Sequence, residues 1–276
     1  MQTVAIVGVG LIGGSFGLAL RAAGFSGEIL GVSSPATIAK ALEVGAIDTA
    51  ATLEEACGRA DLIYLAQPIG RILDTLRHLH PKPGALVTDA GSTKNQIVQT
   101  AHSHLKTGQF LGGHPMAGKE TRGAESADAR LFVGRPYVLT PGDPAEMETP
   151  AVCEFLSWIE KIGARVLILG AEEHDYLVAY SSHLPQLAST ALAAMIAETS
   201  PDAATVAGPG LVDSTRLALS SYDLWRDILA TNPDAIEEAL NAMIGKLEHL
   251  RDNLRSREME QEFRAAAKLA ADIRRP

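Results

Sequence analysis

Cysteine is nearly missing from this chain: its 276 residues include 2, Cys57 and Cys153. They lie far apart and lack metal-ligand spacing, which excludes a disulfide framework and fits free thiols in a reducing compartment. Positive charge is short as well. Lys and Arg total 24 against 33 Asp and Glu, for a formal net charge of -9, and no basic run of five or more occurs. Nucleic acid and anionic membrane surfaces both require clustered cations, so neither is an expected partner. No apolar run is long enough for a bilayer, and the chain opens directly into "TVAIVGVG", with neither a charged leader nor a small-residue cleavage site. A soluble, cytoplasmic protein is the expectation. Internal repeats and low-complexity segments are absent too.

Hydrophobic residues make up 46% of the chain and charged ones 21%, enough apolar material for two cores. The β-branched run "TVAIV" (3–7) reads as a strand, and the following segment switches to helical spacing through Leu11, Phe16, Leu18 and Leu20, stopping at Gly24. "EILGVS" (28–33) is the next strand. Helices near 35–45 and 52–58, the strand "DLIYLAQP" ending at Pro68, and a helix over 69–79 continue the alternation. "GALVTDAGS", "QFLGGHP", "PYVLTP" and "GARVLILG" supply the remaining strands. Strands this apolar, separated by helices, predict an α/β fold with a parallel sheet covered on both faces. Beyond residue 170 the strand signals stop, and segments such as "LASTALAAMIAETS" (187–200) are helical. Two domains follow as the expectation, a Rossmann-type unit over 1–170 and an all-helical one over 171–276. From Pro233 to the end, Ile236, Leu240, Met243, Leu247, Leu250 and Leu254 recur at steps of three and four. They predict one amphipathic helix long enough to embrace a second copy of the chain.

"GVGLIG" sets Gly8, Gly10 and Gly13 as GxGxxG between a strand and a helix. In that context the first glycine permits the tight turn, the second lets backbone approach a pyrophosphate, and the third lets helix and strand pack closely. The pyrophosphate then meets free N–H groups at a helix N-terminus. Leu11 and Ile12 within the turn, Gln67 and Pro68 after the third strand, and Ser92 complete the expected cofactor contacts. An Asp or Glu that would hold a ribose 2′-hydroxyl is missing from "VSSPAT" (32–37). Ser33, Ser34 and Thr37, with Lys40 one turn on, can instead bond a 2′-phosphate. NADP is therefore the expected cofactor and NAD the alternative; the serines acting only as a helix cap is the competing reading.

The loops "TDAGSTK" and "GGHPMAG" follow parallel strands, at the sheet edge where open α/β folds bind ligands, so Ser92 and His114 are expected to face the nicotinamide. Other residues are set aside. His102 and His104 have no third ligand at metal spacing, and no metal is expected. His174 and His249 stand among charges, as surface residues do, and "EEHD" (172–175) reads as the acidic first turn of a helix. Trp158 and Trp225 read as core.

Taken together, "VGVGLIGGSFGLALR", "DAGSTK", "GGHPMAGKETRGAESADARLFVGRPYVLTP", "SHLP" and "DSTRLA" resemble the prephenate and arogenate dehydrogenases of tyrosine biosynthesis, from residue 3 to at least residue 230. The resemblance implies a Rossmann domain joined to a helical dimerisation domain, hence a homodimer. It also implies oxidative decarboxylation of a small-molecule cyclohexadienol, prephenate or arogenate, with hydride transfer to NAD(P). It assigns His114 as the catalytic base, Ser92 as its neighbour at the substrate hydroxyl, and Arg216 as the ring-carboxylate ligand. His183 and Gln186 are implied at the substrate site. Gln186 stands where many prephenate-preferring relatives carry a second histidine, which bears on the choice between a keto and an amino side chain. No regulatory domain is expected after the helical region, so any feedback by tyrosine would act at the active site. A β-hydroxyacid dehydrogenase or imine reductase shares this layout but presents a Lys or Asp from its helical domain, and "DYLVAYSSHLPQLAST" offers no clear Lys. A regulator that senses NADP without chemistry is the other alternative, against which the joint presence of His114, Ser92 and Arg216 argues.

Overall fold

A computed structural model describes residues 1–106 and 109–274. Eight strands form one sheet in the order β3-β2-β1-β4-β5-β6-β7-β8. They are β1 (Thr3–Val7), β2 (Glu28–Val32), β3 (Thr49–Ala50), β4 (Leu62–Leu65), β5 (Leu86–Asp89), β6 (Phe110–Pro115), β7 (Pro136–Thr140) and β8 (Arg165–Ile168). Helices α1 (Leu11–Ala22), α2 (Pro35–Glu43), α3 (Leu53–Arg59), α4 (Ile69–Arg77), α5 (Asn95–His104) and α6 (Pro150–Lys161) connect them. Side chains alternate across a strand, and the two faces fill separate cores. Val4 and Ile6 pack with Phe16, Tyr64 and Phe155 on one side, while Ala5 and Val7 pack with Ile63, Val87 and Ile97 on the other. That double burial is why these strands read as continuous apolar runs.

Seven of the eight strands follow the expected positions; β3, two residues long, has too little apolar character to announce itself. The sheet is parallel except at one pairing, where β6 and β7 run antiparallel with His114 opposite Val138. A parallel crossover needs a dozen or more residues, usually a helix. Between β6 and β7 the regular structure among the described residues is a three-residue 3₁₀ turn (Ala124–Ser126), so the chain doubles back instead. His114 also lies within β6 and not in a loop after it.

After β8 the described chain is helical. Helix α7 (Ala171–Val178) runs through a π-helical turn (Ala179–His183) into α8 (Leu184–Thr199), followed by α9 (Pro209–Thr215), α10 (Tyr222–Thr231), α11 (Pro233–Asp252) and α12 (Glu258–Ile273). The single helix expected from Pro233 onward is thus two, and its last positions, 275 and 276, lie outside the described residues. Asn253 closes α11 by donating its backbone N–H to the His249 and Leu250 carbonyls, and the Ser256 hydroxyl accepts from Glu258 N–H at 3.0 Å as α12 begins. Short polar side chains competing for backbone groups favour such a break.

Candidate active site

The glycine turn comes first. Gly8 has φ +93°, and a Cβ there would sit 2.6 Å from the Ala66 carbonyl oxygen; one on Gly13 would sit 2.2 Å from the Gly8 carbonyl oxygen. Both positions require glycine. A Cβ on Gly10 would meet nothing within 4 Å, so the backbone there is open to an incoming group. Helix α1 has no side-chain cap and no acid in its first turn, leaving its N–H groups and dipole for an anion. Helices α4 and α5 begin at the same edge but are engaged from the helical region. Gly70 N–H donates to Asp227 at 2.9 Å, and Lys94 and Asn95 N–H donate to the two Asp175 oxygens at 2.7 and 2.9 Å. A nucleotide pyrophosphate fits the α1 end. Gly10, Leu11, Ile12, Gln67, Pro68 and Ser92 line a cleft of about 990 Å³ there.

Ser33, Ser34 and Thr37 stand outside that lining. The Ser34 hydroxyl caps α2, accepting from Thr37 N–H at 3.4 Å and lying 2.9 Å from the Thr37 hydroxyl. Ser33 is exposed, and Lys40 pairs with Glu125 at 2.8 Å.

His114 owes its place to the way β6 leaves β5. The two strands pair only through Val87–Phe110 and Thr88–Leu111. Beyond that point side chains replace the missing ladder: Gly113 N–H donates to Asp89 at 3.1 Å, and Lys94 Nζ donates to the Gly113 carbonyl at 2.6 Å. Lys94 and Asp89 also form an ion pair, and both are fully buried. A Cβ on Gly113 would lie 2.6 Å from the Asp89 carbonyl oxygen, which is why a glycine precedes the histidine. Asp89 further accepts from Gly91 N–H at 2.8 Å, so one carboxylate holds both β6 and the loop leading to Ser92.

His114 is 9% exposed. Its Nδ1 lies 2.8 Å from His174 Nε2, and His174 Nδ1 lies 2.8 Å from Asp175 Oδ1. Burial, then the proximity of His174, Lys94 and His183, holds the His114 pKa well below its ordinary value. Burial likewise lowers that of His174, against the pull of Asp175. The reading of His174 as a surface residue is therefore wrong: it is completely buried, on the inner face of α7 against the sheet.

A second cavity, about 360 Å³, opens beside the cleft and is lined by His114, Ser92, Met116, Ser181, Ser182 and Trp225 among others. Ser92 thus borders both spaces. Trp225 is not plain core either: its ring faces this cavity, and its indole N–H is buried without a partner. His183 is one layer back, buried, with its ring edge-on to Trp225 and Nδ1 3.4 Å from the Asn232 amide; burial lowers its pKa to about 4. Gln186 and Arg216 line the larger cleft. The Gln186 amide donates to the Leu217 carbonyl at 2.8 Å and the Thr190 hydroxyl at 3.2 Å, which leaves its oxygen as an acceptor. Arg216 is 58% exposed and lies 3.2 Å from Glu120. Among the described residues no group of three or more His, Cys, Asp or Glu is placed to hold a metal ion, and no helix is long and apolar enough to cross a membrane.

Sequence reasoning brought His114, Ser92, Gln186 and Arg216 to one region. It missed Asp89, Lys94, His174, Asp175 and Trp225. The first two flank Ser92 inside "DAGSTK", which was a usable signal, whereas His174 and Asp175 sit behind Glu172 and Glu173 with nothing local to mark them.

The chain matches the family model described as the prephenate dehydrogenase nucleotide-binding domain over residues 16–168, and that described as its dimerization domain over residues 170–269. It is 35% identical over 249 residues to a prephenate dehydrogenase of Lactococcus lactis, which spans 87% of this chain and 68% of that protein. The solved prephenate dehydrogenase of Aquifex aeolicus, in complex with hydroxyphenyl propionate and NAD+, is similar with a TM-score of 0.86 at 33% identity, across 99% of this chain and 97% of that one. The Synechocystis arogenate dehydrogenase is similar with a TM-score of 0.81 at 32% identity, across 98% of both chains.

Proposed function

The chain belongs to the prephenate dehydrogenase family, and from that premise we propose how its own residues carry out the oxidative decarboxylation of a prephenate- or arogenate-type cyclohexadienol. Membership also sets aside the hydroxyacid dehydrogenase reading. The observation that carries the mechanism is the His114 ring, committed through Nδ1 to His174 and lining the cavity beside the cleft that begins at Gly10. When bound, a nicotinamide dinucleotide takes the hydride from C4 of the substrate. His114 Nε2 accepts the proton of the hydroxyl on that carbon as the hydride leaves, so the oxygen closes to a carbonyl instead of stranding positive charge. The ring carboxylate then departs as carbon dioxide; its bonding electrons restore the aromatic ring and end on the oxygen, which takes the proton back. Ser92, at the border of cleft and cavity, hydrogen-bonds near that hydroxyl. Arg216 receives the ring carboxylate, its planar fork being suited to bidentate binding, after exchanging Glu120 for it. Ordering a carboxylate that must leave is better served by an exposed guanidinium than by a deeply buried one.

NADP is the proposed cofactor, because no carboxylate stands at 32–37 to repel a 2′-phosphate, with NAD the alternative that the capping role of Ser34 favours. Gln186 argues for the amino-bearing substrate. Its amide nitrogen is already used, and the remaining oxygen accepts from an ammonium but offers nothing to a keto group. His183 backs Trp225 from behind. We place the boundary between the two domains near residue 170 and the subunit contact of a homodimer in the helical one.

Steady-state kinetics with prephenate and arogenate, crossed with NADP and NAD, test this directly. Arogenate with NADP is expected to give the highest kcat/KM, and no turnover with either substrate overturns the reading. His114→Asn is expected to lower kcat by about 10²- to 10⁴-fold while cofactor affinity stays; wild-type turnover in that variant removes His114 from the mechanism.

A further inference from the structure

We propose that His174 and Asp175 are positioning residues that hold His114 in the tautomer with its proton on Nδ1 and its lone pair on Nε2, at the cavity. This rests on the reading of His114 as the base. The logic is a chain of donors and acceptors. An ionised carboxylate only accepts, so with Asp175 Oδ1 2.8 Å away, His174 Nδ1 carries a proton. A neutral His174 then has none on Nε2, which becomes an acceptor. Across the 2.8 Å contact His114 Nδ1 has to donate. A neutral His114 with its proton on Nδ1 has a bare Nε2. Each step follows from the one before, and the terminal carboxylate sets the direction of the whole chain.

The arrangement answers a specific difficulty. A free histidine side chain prefers its proton on Nε2, which would turn a donor toward the substrate hydroxyl and abolish the base. Something has to hold the less common form, and the residue next to His114 in the ladder, Gly113, has no side chain to do so. The groups around the ring are Asp89 at the end of β5, Lys94 from the β5–α5 connection, His174 and Asp175 from α7, and His183 from the π-helical turn. Lys94 only donates and is engaged with Asp89 and Gly113. His174 makes the hydrogen bond to the Nδ1 side of the ring. Asp175 has a second task, since it also receives Lys94 and Asn95 N–H at the start of α5. One carboxylate of the helical region therefore orients the base and fixes the end of the loop that carries Ser92. Substituting Asp175 would disturb both, so His174 is the residue to test.

Histidine labelled with ¹⁵N in the free protein reports the tautomer without reference to activity. Wild type is expected to show a neutral His114 with a protonated Nδ1 and an unprotonated Nε2. In His174→Phe, which keeps the bulk and removes the acceptor, the proton is expected on Nε2, with kcat lowered by on the order of 10² or more, because a base in the wrong tautomer forfeits what a positioned base contributes. His174→Gln, whose amide oxygen can still accept from Nδ1–H, is expected to restore both the tautomer and most of the turnover; a role in packing alone would not sort Phe from Gln in this way. If His174→Phe fails to fold, the wild-type spectrum and the Gln variant still decide. Finding the His114 proton on Nε2 in wild type, or an unchanged tautomer in His174→Phe, overturns the proposal. The base assignment stands or falls separately on His114→Asn.

Discussion

Three histidines, His114, His174 and His183, are buried and have pKa values pushed down chiefly by loss of water. In the unfolded chain they titrate near 6.5. Between that value and the folded ones the unfolded chain binds more protons, so stability is complete above about pH 6.5 and falls as the pH drops. His183, lowered to about 4, accounts alone for about 3 kcal/mol across that window, at roughly 1.4 kcal/mol per pH unit. The other two act in the same direction. Urea midpoints are expected to hold between pH 7.5 and about 6.5 and to fall from there to pH 5; a flat profile throughout would mean that these rings are solvated or already charged. At the same scale lies the limit of what could be read beforehand. His114 and Ser92 were legible because glycine, proline and strand ends surround them within a few residues. His174 and Asp175 were not, since their partners lie 60 and about 80 positions away. Next to Glu172 and Glu173 they look like any solvated helix start.

Among elements, the strand–turn–helix at the chain start shows how one motif divides its labour. A Cβ on Gly13 would lie 2.2 Å from the Gly8 carbonyl oxygen and 2.8 Å from Ile6 Cγ2, while one on Gly10 would meet nothing within 4 Å. Gly13→Ala is therefore expected to lower stability by about 1–3 kcal/mol, the usual cost of overpacking, because the obstacle is backbone and cannot move aside. Gly10→Ala should melt like wild type yet bind the dinucleotide at least about tenfold more weakly, roughly 1.4 kcal/mol. Thermal melts and titration of cofactor fluorescence separate the two; a Gly10→Ala protein with unchanged affinity would move the pyrophosphate elsewhere. Apolar runs and the spacing of glycines made these elements readable. The direction of β7 was not, because a five-residue strand looks the same in either orientation and only the absence of a crossover helix from the described connection before it decides. The break at Asn253 was equally hidden, since Leu250 and Leu254 keep the periodicity of a helix across it.

For the molecule as a whole, the helical region leaves an apolar face uncovered. Its buried core is small, centred on Ala179, Ile236 and Ala239, and none of the residues of α12 is buried. Met259, Phe263, Ala266, Ala270 and Ile273 nonetheless recur along α12 at steps of four and three, the spacing of a stripe that packs on another helix. Phe263 is 71% exposed and Ile273 72%. Ion pairs of Glu262 with Lys246 and His249 at 3.0 and 3.3 Å tie α12 to α11, but its apolar stripe stays in water, where a 16-residue helix is marginal, so a partner for that stripe is expected. The matched dimerization-domain model makes a second copy of this chain the natural one, apolar stripe against apolar stripe about a two-fold axis. Sedimentation equilibrium is expected to show two chains per particle at micromolar concentration. Phe263→Glu combined with Ile273→Glu, which would bury charges in that interface, is expected to yield single chains with α12 frayed and a lower helical signal by circular dichroism. Dimers that persist in the double variant would place the subunit contact on another face, and α12 would then owe its order to something outside this pair.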